Sequence, residues 1–464
     1  MSPLSHDFER VFAVGTAVLL VLSVMAVGMA SADSADKAGS DDLAFDPDVP
    51  DTDSFSAPTA EGTATVDGET YDSAQAAVEA ADPGDTITLE GRFNETLVVT
   101  TPNVTLAGSG PRSTLLHGDG EGDVLAVEAQ GVTVTDLWVR NSGFDTATND
   151  AAIFVNGSEA TVRDSRVTDM TFGIWLNGID DAEVRNNTLV GREEITQLTQ
   201  RGNGIQIWKT EDSVIRNNEI TTVRDGLYFN WAKDVNASEN TMWDLRYGVH
   251  YMYSDDSHLR NNTAFDNDVG YALMVSKHLV IADNVAVNNS GQSGHGILVK
   301  SIDDTDIRGN HLVDNENGLF VYNSVSNRII GNLVVGNDVG VHIAAGSTDG
   351  TVTKNSFIRN NRPVLAVMSD QVHWNESVGN YWSRANPTDV DDDGVGDTRY
   401  QPAGTVQQVT AEKPAARVFA SSPAFDAVRL AESSVPVVQS PGVVDARPLT
   451  DPPHENWRHY YERD

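Results

Sequence analysis

The sequence predicts an all-β chain, a right-handed parallel β-helix with about 22 residues per coil, and two repeats in phase carry that prediction. Glycines followed by alternating apolar residues recur at Gly173, Gly204, Gly226, Gly248, Gly270, Gly296, Gly318 and Gly340, in steps of 31, 22, 22, 22, 26, 22 and 22 residues. Asparagines recur with them at Asn187, Asn218, Asn240, Asn262, Asn284, Asn310, Asn332 and Asn355. The intervening runs are short, β-rich and lack helical periodicity. A coil of that length holds three short strands, each pairing with its counterpart one coil on, about 4.8 Å away. Equivalent asparagines then stack at the turns, where their amides satisfy one another. The glycines are expected to supply the positive φ of the corners. The long steps place projecting loops around residues 193–201 and 288–293.

The elements follow in order. A lone Arg10, an apolar stretch from Val11 to Ala30 and the small-x-small run Ala30-Ser31-Ala32 make residues 1–32 an export signal. About 20 apolar residues also suffice to span a bilayer, so an uncut membrane anchor is the alternative. No later segment is long and apolar enough to cross. Residues 33–64, rich in Asp, Ser, Ala, Pro and Thr, form an acidic disordered linker. The run from Tyr71 to Ala81 predicts a short helix capping the open end of the solenoid, closed by Asp82-Pro83-Gly84-Asp85. The β-helix takes residues 65–375, a C-terminal segment residues 376–449 and a tail residues 450–464.

In the strand after each glycine, positions +1 and +3 are apolar throughout and fill the interior. Positions +2 and +4 then face outward, and they include Trp175, Trp208, Tyr228, His250, Met252, Met274, Phe320, Tyr322 and His342. A stripe of aromatic, Met and His side chains has the composition of an interface centre and is expected to bind partners. The alternatives are that the C-terminal segment folds back over it, or that its rings stack on sugars. His250, Met252 and Met274 could hold Cu(I) through imidazole and thioethers, or serve as adaptable packing without metal.

Against 31 Lys and Arg stand 68 Asp and Glu, a formal charge of −37 spread along the chain. That balance repels phosphate backbones and excludes nucleic acid as a partner. It suits a protein kept soluble at high salt, a cation-attracting surface being the alternative. With no cysteine, disulfides and thiolate metal sites are excluded. The segment Asp389-Val-Asp391-Asp392-Asp393-Gly394-Val395-Gly396-Asp397 alternates oxygen donors around a glycine turn, the pattern of a structural calcium loop with ligands at Asp389, Asp391, Asp393, Val395 and Asp397, or else a solvated acidic turn. After it, residues 415–420 and 422–432 predict two short amphipathic helices with apolar faces at Val418, Phe419, Phe425 and Val428. These lie on a membrane or a membrane partner, or pack on the last coil.

Catalysis is not expected. Ser293-Gly294-His295-Gly296 is similar to the Gly-His-Gly turn of polygalacturonases, yet Asp266 and Asp268 on the coil below do not complete their acidic cluster. No Asp-Tyr-His-Arg group of the epimerase kind is visible on one strand face.

The chain resembles the NosD family, maturation proteins of nitrous oxide reductase. The resemblance is carried by Arg224-Asp-Gly-Leu-Tyr-Phe, Leu245-Arg-Tyr-Gly-Val-His-Tyr-Met-Tyr-Ser, Gly270-Tyr-Ala-Leu-Met, Gly340-Val-His-Ile-Ala-Ala-Gly-Ser, Gly379-Asn-Tyr-Trp, the acidic loop and Pro441-Gly-Val-Val-Asp, and spans roughly residues 71–449. It implies an extracytoplasmic β-helix, not an enzyme, that works with an ABC transporter and a lipoprotein copper chaperone to assemble the copper sites of the reductase. It also implies that the C-terminal helices around Val418, Phe419, Phe425 and Val428 contact the transporter's membrane subunit. The rival is a secreted carbohydrate-active β-helix, a polysaccharide lyase, epimerase or sugar-binding module. The acidic linker and a tail bearing His454, Trp457, His459 and Tyr460 depart from the family pattern.

Overall fold

Each repeat folds into three strands because left-handed residues at its corners, Trp231, Asp234, Glu239 and Asp244 in one coil, break every apolar run. One coil has Asn236–Ser238, Thr241–Trp243 and Tyr247–Met252, and the next has His258–Arg260, Thr263–Phe265 and Val269–Lys277. Every strand pairs in parallel with its counterpart one coil on. In chain order these make a first, second and third sheet, the third having 12 strands from Leu97–Val99 to Arg362–Ala366. The computed structural model describes residues 56–461 except 345, 367–370, 407–408, 410–412, 420–421 and 435–441, together with residues 49 and 52. The export signal and most of the acidic linker lie outside the described residues.

The first open end is closed by helix α1, Ala74–Ala80, which buries Ala74, Ala77 and Val78. Ser73 caps it by accepting the Ala76 N–H at 3.2 Å, and the Glu95 carboxylate accepts from the Ala74 N–H at 2.8 Å. The +1 and +3 side chains fill the interior, with Phe229 and Tyr251 stacked 4.2 Å apart across successive coils.

The repeat glycines do not take the positive φ expected of them; none of the eight is left-handed. Their requirement is proximity. A Cβ on Gly226, Gly248 or Gly270 would sit 2.5, 2.6 or 2.7 Å from the carbonyl oxygen of the next glycine in the stack. The left-handed corner belongs instead to the residue before each ladder asparagine, for example Asn217, Glu239, Asn261 and Asp283.

The asparagine ladder is present and fully buried. Asn262 Nδ2 donates to Ala237 O and to Asn284 Oδ1, both at 3.0 Å. Its Oδ1 accepts from Asn240 N and Nδ2 at 3.0 and 2.9 Å. A second ladder, which the sequence reading did not separate, runs five residues later through Asn267, Asn289, Asn315, Asn337 and Asn360. Its signal was available in the same period.

At the far end, Phe357, Trp374 and Trp382 stack over the last coil. Strands Gln371–His373, Gly442–Asp445 and Tyr400–Ala403 form a small sheet beyond them. The buried Asp445 carboxylate accepts from Trp382 Nε1 at 2.9 Å and from Asn380 N at 2.7 Å. The chain then folds back, but not over the third sheet. Tyr460, Trp457 and Tyr461 pack on an outward row of the second sheet that includes Val313, Val335 and Ile358. His454 donates from Nε2 to Gly331 O at 3.1 Å and accepts the Ser356 hydroxyl at Nδ1, at 2.8 Å.

Candidate functional site

The outer face of the third sheet carries the +2 and +4 residues, as strand alternation requires. They lie outside the core yet are less exposed than an open stripe would be. Trp175, Tyr228, His250 and Met274 are buried, Trp208, Met252, Phe320 and His342 are half-buried, and Tyr322 is 38% exposed. Stacking explains this, because each large side chain covers its neighbours one coil away. Trp175 packs with Ala151, Phe154, Phe172 and Trp208, while Met274 packs with Val269, Ala272, Leu298, Met252 and Phe320. His295 stacks on Phe320 at 4.8 Å, and His342 meets the Phe320 ring edge-on at 4.7 Å. Burial lowers His295 to about 3 and His342 to about 4, so both are neutral imidazoles.

At the centre of this face is a polar group that the sequence reading missed. Asp225, fully buried, receives Arg246 Nε at 2.8 Å and Nη2 at 2.5 Å, and His250 Nδ1 at 3.1 Å. Arg224 lies 3.8 Å from the same carboxylate and donates to Asn203 Oδ1 at 3.2 Å. The Tyr228 ring stacks on His250 at 4.5 Å, and its hydroxyl accepts from Asn230 Nδ2 at 2.9 Å. So Asp225, Tyr228, His250 and Arg246 do meet on one face, contrary to expectation. The strand is interrupted at each glycine: Asp225 pairs with Tyr247 and Leu227 with Val249 while the glycines between are skipped, and across this kink position −1 shares a side with +2, as Phe172 does with Trp175 and Val269 with Ala272.

Burial alone would raise the Asp225 carboxyl, but Arg246, His250 and Arg224 override it and hold it far below the usual carboxylate range. Burial pushes His250 below its ordinary value. A neutral imidazole facing an ionised carboxylate must donate from Nδ1, which leaves the lone pair on Nε2. That Nε2 is buried and has no hydrogen-bond partner. Met252 and Met274 pair in register on the same face. An orphaned imidazole nitrogen with two neighbouring thioethers is a donor set that suits monovalent copper.

In the acidic loop, carboxylate oxygens of Asp389, Asp391 and Asp397 lie within 4.8 Å of one another. Asp393 is turned away: one oxygen accepts from Val395 N at 2.8 Å and the other faces Arg447 at 3.7 Å. Val395 is buried and bridges to Leu449. Asp389 accepts the N–H groups of Asp392 and Gly394, at 2.8 and 2.9 Å. Beyond the loop, Pro414–Phe419 forms a 3₁₀ turn and Pro423–Ser434 forms helix α2. Val418 is 85% exposed, Phe419 61% and Val428 37%, whereas Phe425 is half-buried.

Fold and site define a parallel β-helix whose outer face is closely packed with rings and soft donors. The family described as periplasmic copper-binding protein (NosD) matches residues 190–387. A probable ABC transporter binding protein NosD of Pseudomonas aeruginosa is 37% identical over 351 residues, 72% of this chain and 81% of that protein. Its namesake in Stutzerimonas stutzeri is 32% identical over 359 residues, 74% of this chain and 81% of that one. The chain belongs to the NosD family. Among solved structures, the A-module of an Azotobacter vinelandii mannuronan C-5 epimerase is similar with a TM-score of 0.43 and 16% identity, over 63% of this chain and 91% of that one. A periplasmic alginate epimerase matches with a TM-score of 0.40 and 15% identity, over 69% and 83%. Likeness at that level carries nothing about activity. No helix among the described residues is long and apolar enough to cross a membrane.

Proposed function

We propose that this protein is an extracytoplasmic, non-enzymatic scaffold in denitrification, on which the copper sites of nitrous oxide reductase are assembled with an ABC transporter and a copper chaperone. The observation that carries the reading is the third-sheet face, which joins aromatic interface residues to an orphaned imidazole and two thioethers. The nearest thing to an acid–base group argues against turnover, because the Asp225 carboxylate is spent on Arg246 and His250. Trp208, Phe320 and Tyr322 keep accessible surface for reductase or chaperone. Val418, Phe419, Phe425 and Val428 meet the membrane subunit of the transporter, for which their exposed apolar surface suits them. His250, Met252 and Met274 hold copper in passage, and Asp389, Asp391 and Asp397 hold a calcium ion that braces their loop. The N-terminal segment exports the chain, cleaved or retained as an anchor, and the acidic surface keeps it soluble at high salt.

The test deletes the gene in its host and measures nitrous oxide reduction with the copper content of the purified reductase. Reductase that accumulates without its copper cluster is the expected result. Normal copper and activity would overturn the reading, and the protein would then be assayed on acidic polysaccharides.

A further inference from the structure

Trp231, Tyr253 and Val275 occupy equivalent positions of three successive coils, the first two just past their third-sheet strands and Val275 within Val269–Lys277. All three hold left-handed backbone, with φ of 57°, 54° and 50°. Bulky and β-branched residues resist that conformation, and glycine or asparagine adopts it readily. Elsewhere the same corner is taken by Gly178, Lys209, Ser301 and Asn323. Coil closure asks for no particular side chain here, because the bond that recurs is a backbone N–H given to the next coil, Trp231 to Met252 O and Tyr253 to Val275 O, both at 3.1 Å; Asn323 and Ser301 alone among the named corner residues add a side-chain bond, at 3.1 Å. Nor do these side chains fill the fold. Trp231 is 53% exposed, Val275 37%, and Tyr253 half-buried. The Trp231 and Tyr253 rings stack at 4.7 Å and 17°, forming one continuous aromatic ridge. Backbone strain and exposed apolar surface thus coincide on three neighbouring coils, and the stack of Trp231 on Tyr253 is the return inside the molecule that sets against them.

Three residues further on, the next corner is also left-handed and carries carboxylates, at Asp181, Asp212, Asp234, Asp256 and Asp304, with His278 interrupting and its Nδ1 lying 3.1 Å from one oxygen of Asp256. Lys233 and Lys277 interleave, Lys233 already lying 3.1 Å from Asp234. Electron-rich ring faces beside a row of carboxylates select a cation that carries apolar surface with it. A guanidinium suits both better than an ammonium, since it is planar, weakly hydrated and forked to match a carboxylate. We propose that the ridge of Trp231, Tyr253 and Val275, with Asp234 and Asp256 beside it, is a docking site for an arginine-bearing segment of a protein partner. The proposal deepens the scaffold reading and rests on it for the identity of that partner, but the chemistry of the ridge is tested without it.

The full chain is titrated against a fluorescein-labelled 12-residue peptide alternating Arg and Leu, in about 0.5 M salt to screen the general acidic surface, and against a twin with Glu for Arg. The triple variant W231N/Y253N/V275N keeps its fold, because asparagine accepts the left-handed corner. Its thermal midpoint is expected at or above that of the parent, with the Arg peptide bound at least tenfold more weakly. D234N/D256N weakens binding several-fold, and the Glu twin does not bind. Equal affinity of parent and triple variant would overturn the proposal, as would displacement of the peptide by cellohexaose, which would make the ridge a sugar platform. In the host, a triple variant that loads reductase as the parent does overturns the ridge alone. The scaffold reading falls only if deletion of the whole gene leaves the reductase loaded.

Discussion

The asparagine corner and the corner bearing Trp231 are stacked at the same interval, yet one is nearly uniform and the other varies at every coil. At the first, each amide is buried and bonded to the coils on both sides, so no other side chain supplies its four contacts. At the second, the bond that recurs is a backbone N–H and the side chain lies toward solvent, so glycine, lysine, tryptophan, tyrosine, valine, serine and asparagine all occur. In a solenoid, uniformity marks what the fold requires. A residue type that the backbone resists, placed where the fold needs nothing, marks what something else requires.

That contrast breaks most severely at Asp225, a buried polar residue that is confined to one coil. Asp225→Ala leaves the half-buried Arg246 and the buried His250 without their carboxylate and is expected to cost about 3–5 kcal/mol in urea unfolding. A loss under 1 kcal/mol would show the group to be solvated. Asn262→Ala orphans the Asn240 N–H, takes one of its donors from Ala237 O and is expected to cost about 2–3 kcal/mol. If a coil tolerated it without loss, the uniformity of the ladder would need another cause. Gly248→Ala forces a Cβ to 2.6 Å from Gly270 O and should cost about 1–3 kcal/mol by spreading two coils. The smallest effect belongs to Trp231→Asn, whose unfolding free energy should stay within about 0.5 kcal/mol of the parent or exceed it. A clear loss there would mean that the ridge serves folding after all.

The tail offers a pH-dependent counterpart. Burial and the neighbouring His454 lower His311 to about 4, and burial lowers His454 as well. Both are neutral where tail and coils meet, His311 of the coils against Tyr460 and His454 of the tail against Ser356 and Gly331. Below an unfolded value near 6.5 the detached state binds more protons than the docked one. Anchorage is therefore complete above that pH and weakens as pH falls from about 6.5 toward about 4. Amide exchange across residues 450–461 should speed up between pH 7 and pH 5 relative to the coils; parallel behaviour of tail and coils would refute the latch.

Much of the architecture was legible because a period of 22 residues repeats a single local decision many times. The inward positions, the asparagine ladder, the cap helix after Ser73 and the exposed faces at Val418 and Phe419 all follow from alternation and spacing. The role of the repeat glycines was misjudged, because φ and close approach leave the same mark in a sequence and only the stacked carbonyl at 2.6 Å separates them. The Asp225 group was invisible for a related reason. Alternation predicts which side a residue faces only while the strand is regular, and a kink at Gly226 moved Asp225 onto the outer face beside His250.

What the sequence determined by itself is what each coil does to its own residues: strand, corner, inward or outward. What only the tertiary structure decided is what one coil does to another, since burial of Trp175, Tyr228 and His250, the orphaned Nε2 and the ridge of Trp231 and Tyr253 all arise from side chains meeting across a strand spacing of about 4.8 Å. Contacts between residues about 22 positions apart depend on register and rotamer, and neither is written in the local pattern.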